Sequence, residues 1–238
     1  MFGTRVVVGR RARDEAEKPF WISFADLMSA LMVLFLLVMS VALLAVTKNV
    51  TDAERKSAER GQQIGEVLSR IETAARQYPG ISVDSSRNVI DFGDRARFDT
   101  GSSVLSKEQA DYLRTFVPEV LRIARDDLGR KWLKRIVVEG FADQRGDYLL
   151  NLDLSLKRSQ RVLCALLAPT TANERALTPE EREQVRDLFL VGGYSSGSAK
   201  KSFEESRRIE LRLEFFNVGE EHAKIDDALR GEFGVCRI

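Results

Sequence analysis

W-I-S-F-A-D-L-M-S-A-L-M-V-L-F-L-L-V-M-S-V-A-L-L-A-V, residues Trp21 to Val46, decides how the rest of the chain is read. After Asp26 about twenty residues carry no charge, and only Ser29 and Ser40 interrupt them, which meets the ~20 residues a helix needs to cross a ~30 Å hydrocarbon core. A secretory signal peptide has a shorter apolar run and a small-residue cleavage site, so this stretch reads as a retained membrane anchor. Its one acid, Asp26, lies just inside the N-terminal end. Two readings of it stand side by side. An ionisable residue within a span marks a functional site. An acid so close to Trp21, ~7.5 Å away along a helix, also suits a cap at the interface.

The 238 residues leave room for this anchor and one domain of ordinary size. A net charge of +1 gives no case for direct contact with nucleic acid or for an acidic substrate. The two cysteines, Cys164 and Cys236, have no C-x-x-C spacing, and the single histidine is His222, so a His/Cys zinc site lacks ligands. A Ser/His/Asp constellation would have its base in a polar tail. There is no P-loop and no dinucleotide fingerprint, hence no cofactor to expect. The sequence argues against an enzyme in the usual sense.

Residues 1–20 form a polar tail in which Arg5, Arg10, Arg11, Arg13 and Lys18 place the N-terminus in the cytoplasm, although Lys48, Arg55 and Lys56 flank the other end of the span. Residues 47–80 read as a helical linker, polar on all faces at first. From Ile64 onward Leu68, Ile71, Ala75 and Tyr78 alternate at heptad spacing. That face suits a seam between two helices, and equally a face packed on the chain's own domain. Gly61 and Gly65 weaken the helix, and Tyr78-Pro79-Gly80 ends it.

Residues 81–217 form the folded domain. One strand is expected over Ile81 to Phe92. A helix follows with Ser106 and Gln109 as a capping box, and Pro118 should kink or interrupt it. Leu133 to Phe141 reads as a second strand. The loop A-D-Q-R-G-D-Y leads to a helix from about Asn151 to Leu167. Thr178-Pro179-Glu180-Glu181 opens a short helix, Leu188 to Val191 is a third strand, and Gly192 to Lys201 is a loop. In the last strand Ile209, Leu211, Leu213 and Phe215 alternate with Arg208, Glu210, Arg212 and Glu214, which predicts one buried and one wet face. The fold class is a single transmembrane helix followed by an α/β sandwich, a mixed sheet with helices on one face. Residues 218–238 are a polar tail.

The wording P-F-W-I-S-F-A-D-L-M-S-A-L-M-V-L-F-L-L-V-M resembles the membrane segment of MotB-type stator subunits. That resemblance implies that Asp26 carries a transported ion, a proton, and that two copies of the chain sit within a multi-span MotA-like ring protein in the bacterial inner membrane. V-V-E-G-F-A-D-Q-R-G-D-Y-L-L-N-L-D-L-S-L-K-R-S-Q-R-V resembles the core motif of OmpA-like peptidoglycan-binding domains, with F-D-T-G-S at Phe98 to Ser102 and S-R-R-I-E-L at Ser206 to Leu211 resembling the family's first loop and last strand. The family's aspartate falls on Asp143, its asparagine on Asn151, its leucine-serine pair on Leu154 and Ser155, and its arginine on Arg158. By this resemblance Asp143 takes the ammonium of diaminopimelate, Arg158 takes the carboxylate, and Asp99 and Thr100 line the far wall. Read without it, Asp143 and Arg158 would be a surface ion pair worth ~0–1 kcal/mol. Ser206, where the family usually has asparagine, and the insertion Pro169 to Arg186 depart from the pattern.

A periplasmic domain permits disulfides, so Cys164 and Cys236 either pair or stay a buried thiol and a tail thiol. The F-W-I-S-F-A-D-L-M-S-A-L-M wording and the compact linker resemble the Zorya-type stator subunits of anti-phage systems, which implies a ZorA-like ring partner. A flagellar MotB-like stator is the same class with another task. A passive membrane-tethered wall anchor, with Asp26 as a cap, keeps Asp143 and Arg158. An ExbD-like subunit shares the acid-bearing span but lacks the Asp143/Arg158 motif.

Overall fold

A single helix, α1 (Lys18–Ala75), begins the architecture. The computed structural model describes residues 18–168, 175–197, 200, 202–220, 232–234 and 236, with Gly3. The basic cluster Arg5 to Arg13, the start of the insertion, His222 and most of the C-terminal tail lie outside the described residues. The chain divides into two units, Met1–Lys56 and Ser57–Ile238.

In the first unit α1 is long and apolar enough to cross a membrane, and its apolar side chains are exposed on every face. Ser29, Ser40 and Thr47 donate their hydroxyls to the carbonyls of Ala25, Leu36 and Leu43 at 2.7–2.8 Å. Folding polar groups back onto the helix in this way lets them sit in an apolar stretch.

In the second unit α1 stays helical through Gly61 and Gly65. Ile64, Val67, Leu68, Ile71, Ala74 and Ala75 are buried in the core of the domain itself, so the heptad face is an internal seam. Arg60 Nε donates to the Phe216 carbonyl at 2.6 Å, and Gln63 accepts from the Trp132 indole at 2.7 Å. Such burial outweighs the ~1 kcal/mol that each helical glycine costs.

The expected strand over Ile81 to Phe92 is instead a hairpin of β1 (Ser82–Asp84) and β2 (Val89–Asp91). Asp84 accepts hydrogen bonds from the Ser86 and Arg87 backbone N–H groups, and Asn88 adopts φ 56°, so the segment turns between them. Next comes α2 (Lys107–Arg125), with both halves of the Ser106/Gln109 capping box in place. Pro118 does not interrupt it. Leu113, Phe116, Val117, Val120 and Leu121 are buried on both sides of the proline, and their burial exceeds the ~3 kcal/mol cost of a mid-helix proline.

A short helix, α3 (Asp127–Trp132), then leads to β3 (Leu133–Gly140). After β3 come α4 (Tyr148–Leu167), α5 (Pro179–Leu188), β4 (Phe189–Gly193), α6 (Phe203–Ser206) and β5 (Ile209–Phe215). The sheet order is β1-β2-β5-β3-β4, with β3 and β4 parallel and the other pairs antiparallel. Parallel neighbours need a crossover, and α4 and α5 supply it. Ile136, Val138, Leu211 and Leu213 face the helices across the core. A Cβ on Gly140 would meet the Ser155 carbonyl at 2.0 Å, so glycine lets α4 lie directly against the end of β3.

The other face of β5 differs from the wet face that its alternation predicts. Glu139 and Glu210, directly opposite each other on β3 and β5, are fully buried, and Arg208 nearly so. Arg212 holds Glu139 through two bonds of 2.5 and 2.9 Å, Arg208 Nε meets Glu210 at 2.7 Å, and the Arg208 guanidinium lies 4.1 Å from the Phe141 ring centroid. Each acid is matched by a guanidinium whose apolar stem also covers the sheet. Ile71→Ala is expected to destabilise the domain by about 2–5 kcal/mol, read as an earlier unfolding midpoint. Ser69→Ala on the exposed face of the same turn should leave the midpoint unchanged.

Candidate functional site

The site forms where β3 runs out. Beyond Gly140, Phe141 N–H donates to the Arg208 carbonyl at 3.1 Å and Ala142 N–H to the Ser195 carbonyl at 2.9 Å, which fixes the approach to Asp143. Asp143 is buried. Its carboxylate accepts from the Arg145 backbone N–H at 3.0 Å, from Arg145 Nε at 3.3 Å and Nη2 at 2.5 Å, and from Arg207 Nη1 at 3.3 Å. Asn151 donates its amide to the carbonyls of Asp143 and Arg145 at 3.1 and 3.0 Å, so its place here is to hold the loop in shape. Gly146, at φ +93°, completes the turn into α4.

Arg158 stands on the buried face of α4 and is fully enclosed. Its Nε donates to the Ser102 carbonyl at 2.9 Å, Nη1 to Phe141 at 2.7 Å and Nη2 to Asp99 at 3.1 Å, and its guanidinium lies 5.0 Å from the Phe98 ring centroid. Three nitrogens each hold one backbone carbonyl, which leaves one N–H on each terminal nitrogen. Asp99 therefore meets Arg158 through its backbone. Thr100 enters by its hydroxyl, which accepts from Arg145 Nη2 at 3.2 Å. Ser155 receives the Ser195 N–H at 3.1 Å, and Ser206, at the position of the family's asparagine, accepts the Lys200 N–H at 2.9 Å.

Asp143, Asn151, Arg158, Asp99 and Thr100 thus converge, and two further groups join them. Arg145 sits within the quoted loop motif and Arg207 within the quoted last-strand motif, but neither has a role that spacing alone would assign. Two guanidinium groups, those of Arg145 and Arg207, bond one buried carboxylate, and the Arg158 charge is near enough to feel it. Hydrogen bonding from Arg145, against the opposing effect of burial, holds the Asp143 carboxyl down at about 2. Burial, with the nearby Arg207 charge, brings Arg158 down to about 10, and the Asp143 charge works against this. Both stay ionised at neutral pH. The excess of positive charge suits an added carboxylate beside a group that Asp143 can receive as a cation.

Asp26 belongs to the first unit. It shares one flank of α1 with Ser29, Ala30, Val33 and Leu37, the spacing of a single helix face. An ionised carboxylate has no proton to donate to a carbonyl, so it cannot fold back as Ser29 does. Cys164 on α4 is bonded to Cys236, with Cα atoms 5.8 Å apart. Phe233 from the same tail lies 4.9 Å from the Arg186 guanidinium and 5.5 Å from that of Arg182. Among the described residues no cluster of His, Cys, Asp or Glu could hold a metal ion.

A membrane-length apolar stretch with one acid, followed by an α/β sandwich with a carboxylate set beside guanidinium groups, is thus the architecture of this chain. The chain is 46% identical over 228 residues to the Zorya protein ZorB of Escherichia coli O139:H28 (strain E24377A / ETEC), covering 95% of this chain and 93% of that protein. It belongs to the ZorB family. No family model matches. Among solved structures, the periplasmic domain of MotB is similar at 13% identity over 55% of this chain, with a TM-score of 0.38, and the chain covers 65% of that domain. The cell wall anchor of the T6SS from Pseudomonas aeruginosa is similar at 20% identity, covering 63% of this chain and 97% of that one, with a TM-score of 0.39. The periplasmic domain of Helicobacter pylori MotB is similar at 16% identity, covering 61% and 85%, also with a TM-score of 0.39.

Arg158→Ala leaves three carbonyls without their donor and is expected to destabilise the domain by about 3 kcal/mol or more, since each buried unsatisfied group costs about 1–3 kcal/mol; thermal unfolding of the full chain reads this directly. Cys236→Ser should abolish the mobility difference between reduced and non-reduced chain on a denaturing gel, a difference expected from the 72-residue separation of the bonded cysteines.

Proposed function

We propose that this chain is the stator-type subunit of a proton-driven motor in the bacterial inner membrane, held to peptidoglycan by its C-terminal domain and acting in anti-phage defence. The observation that carries the reading is the presence of two charged sites in one chain: Asp26 at the head of an otherwise uncharged, membrane-length stretch of α1, and Asp143 beside Arg145, Arg158 and Arg207. A passive anchor needs only the second. The 46% identity to a Zorya protein favours defence over motility.

The basic residues Arg5, Arg10, Arg11 and Arg13 support a cytoplasmic N-terminus. The Cys164–Cys236 bond supports an oxidising compartment for the domain, the periplasm. Two copies sit within a ring of MotA-like, ZorA-like subunits. Asp26 takes a proton from the periplasmic side and releases it inside. Protonation removes a charge that is costly to hold against hydrocarbon, so each event biases the ring between two packings. At the wall, Asp143 receives the ammonium of a diaminopimelate end, and the remaining N–H groups of Arg158, uncovered as the enclosing loops give way to the ligand, receive its carboxylate. The wall holds this subunit still while the ring turns.

Asp26→Asn is expected to abolish protection against phage, measured by plaque counts, with expression and co-sedimentation with sacculi unchanged. A variant that still protects its cells would leave only the passive anchor. Asp143→Asn should lose sedimentation with sacculi while the protein stays folded.

A further inference from the structure

The wall site is occupied by the chain's own side chain. Arg145 donates to both oxygens of the Asp143 carboxylate, from Nη2 at 2.5 Å and from Nε at 3.3 Å, the lone pairs that a ligand ammonium needs. Arg145 is anchored unlike its neighbours. Arg158 and Arg207 are buried and hold backbone carbonyls. The Arg145 side chain is 49% exposed. Its remaining partners lie on two other segments: the Thr100 hydroxyl at 3.2 Å, and the Phe203 ring at the start of α6, with its centroid 4.8 Å from the guanidinium.

We propose that Arg145 is a strap across the site, an internal stand-in for the ligand's ammonium that must be displaced before diaminopimelate can bind. This rests on the wall-binding reading above. Swinging Arg145 away does not orphan the carboxylate, because Arg207 Nη1 remains 3.3 Å from the same Oδ2. The strap also acts as a filter. A ligand that carries only a carboxylate or a neutral sugar brings nothing to replace the guanidinium. An amino-acid-like end brings its own cation and, beside it, the carboxylate for Arg158.

The test measures the affinity of the detergent-solubilised full chain for a soluble, diaminopimelate-containing muropeptide by calorimetry. Arg145→Gln removes the competing charge. A half-exposed ion pair shifts an equilibrium by only a few-fold, so binding should tighten about two- to fivefold. Phe203→Ala removes the ring beneath the strap without touching a charge, and should tighten binding by less. Equal unfolding midpoints for all three proteins confirm that the comparison is between folded chains. Arg145→Gln binding as tightly as the unaltered chain, or more weakly, overturns the strap and makes Arg145 a bystander or a direct ligand contact. No binding by the unaltered chain or by either variant overturns the wall-binding reading itself, and the strap with it.

Discussion

A guanidinium shut away from water must find acceptors for its N–H groups, and Arg158 finds three: the carbonyls of Ser102, Phe141 and Asp99. Those carbonyls belong to the loop after Phe98 and to the end of β3, and Arg158 itself belongs to α4. One side chain therefore locks three segments together. The contact of Gly140 with the Ser155 carbonyl sets α4 close enough for it to do so. The Asp143 loop then has one place to go, and Asn151 fastens it there. The charge that the ligand is proposed to meet is thus also the tie that shapes its pocket, and removing it would cost structure before it cost affinity.

The two acids central to the account meet opposite surroundings. Asp143 is buried but compensated, with Arg145 and Arg207 bonded to it, and it keeps its charge. Asp26 stands on an exposed helix flank whose neighbours are serine, alanine and aliphatic side chains. A fixed charge suits a grip that should not let go. An ionisable residue within an apolar span marks a functional site. The α1 seam from Ile64 to Ala75 extends the same logic, since burying it in the domain makes that part of the helix a rigid element of the fold.

Much of this was legible in the sequence where the signal is local. The capping boxes at Ser106 and Thr178, the alternation of β5 and the uncharged run after Asp26 each depend on residues a few positions apart, and each appears where expected. Apart from one local turn, the misses depend on distant partners. The hairpin within Ile81 to Phe92 turns on an aspartate that captures its own backbone, in a segment whose apolar ends resemble one strand. Pro118 is tolerated because of packing on either side. The charged face of β5 is buried because Arg212 pairs with Glu139, 73 positions away. Arg207 reaches Asp143 across 64 positions, so no short motif could assign it a role at the site. The heptad face from Ile64 fits an internal seam as well as an external one, and only the fold distinguishes them.

The most direct test of the central claim is a structure of the full chain with a diaminopimelate-containing muropeptide bound. The amino-acid end of the stem peptide is expected between Asp143 and Arg158, its ammonium within about 3.2 Å of the Asp143 carboxylate and its carboxylate facing the Arg158 guanidinium. A muropeptide bound elsewhere on the domain, with the Asp143 carboxylate still held by Arg145, would contradict it.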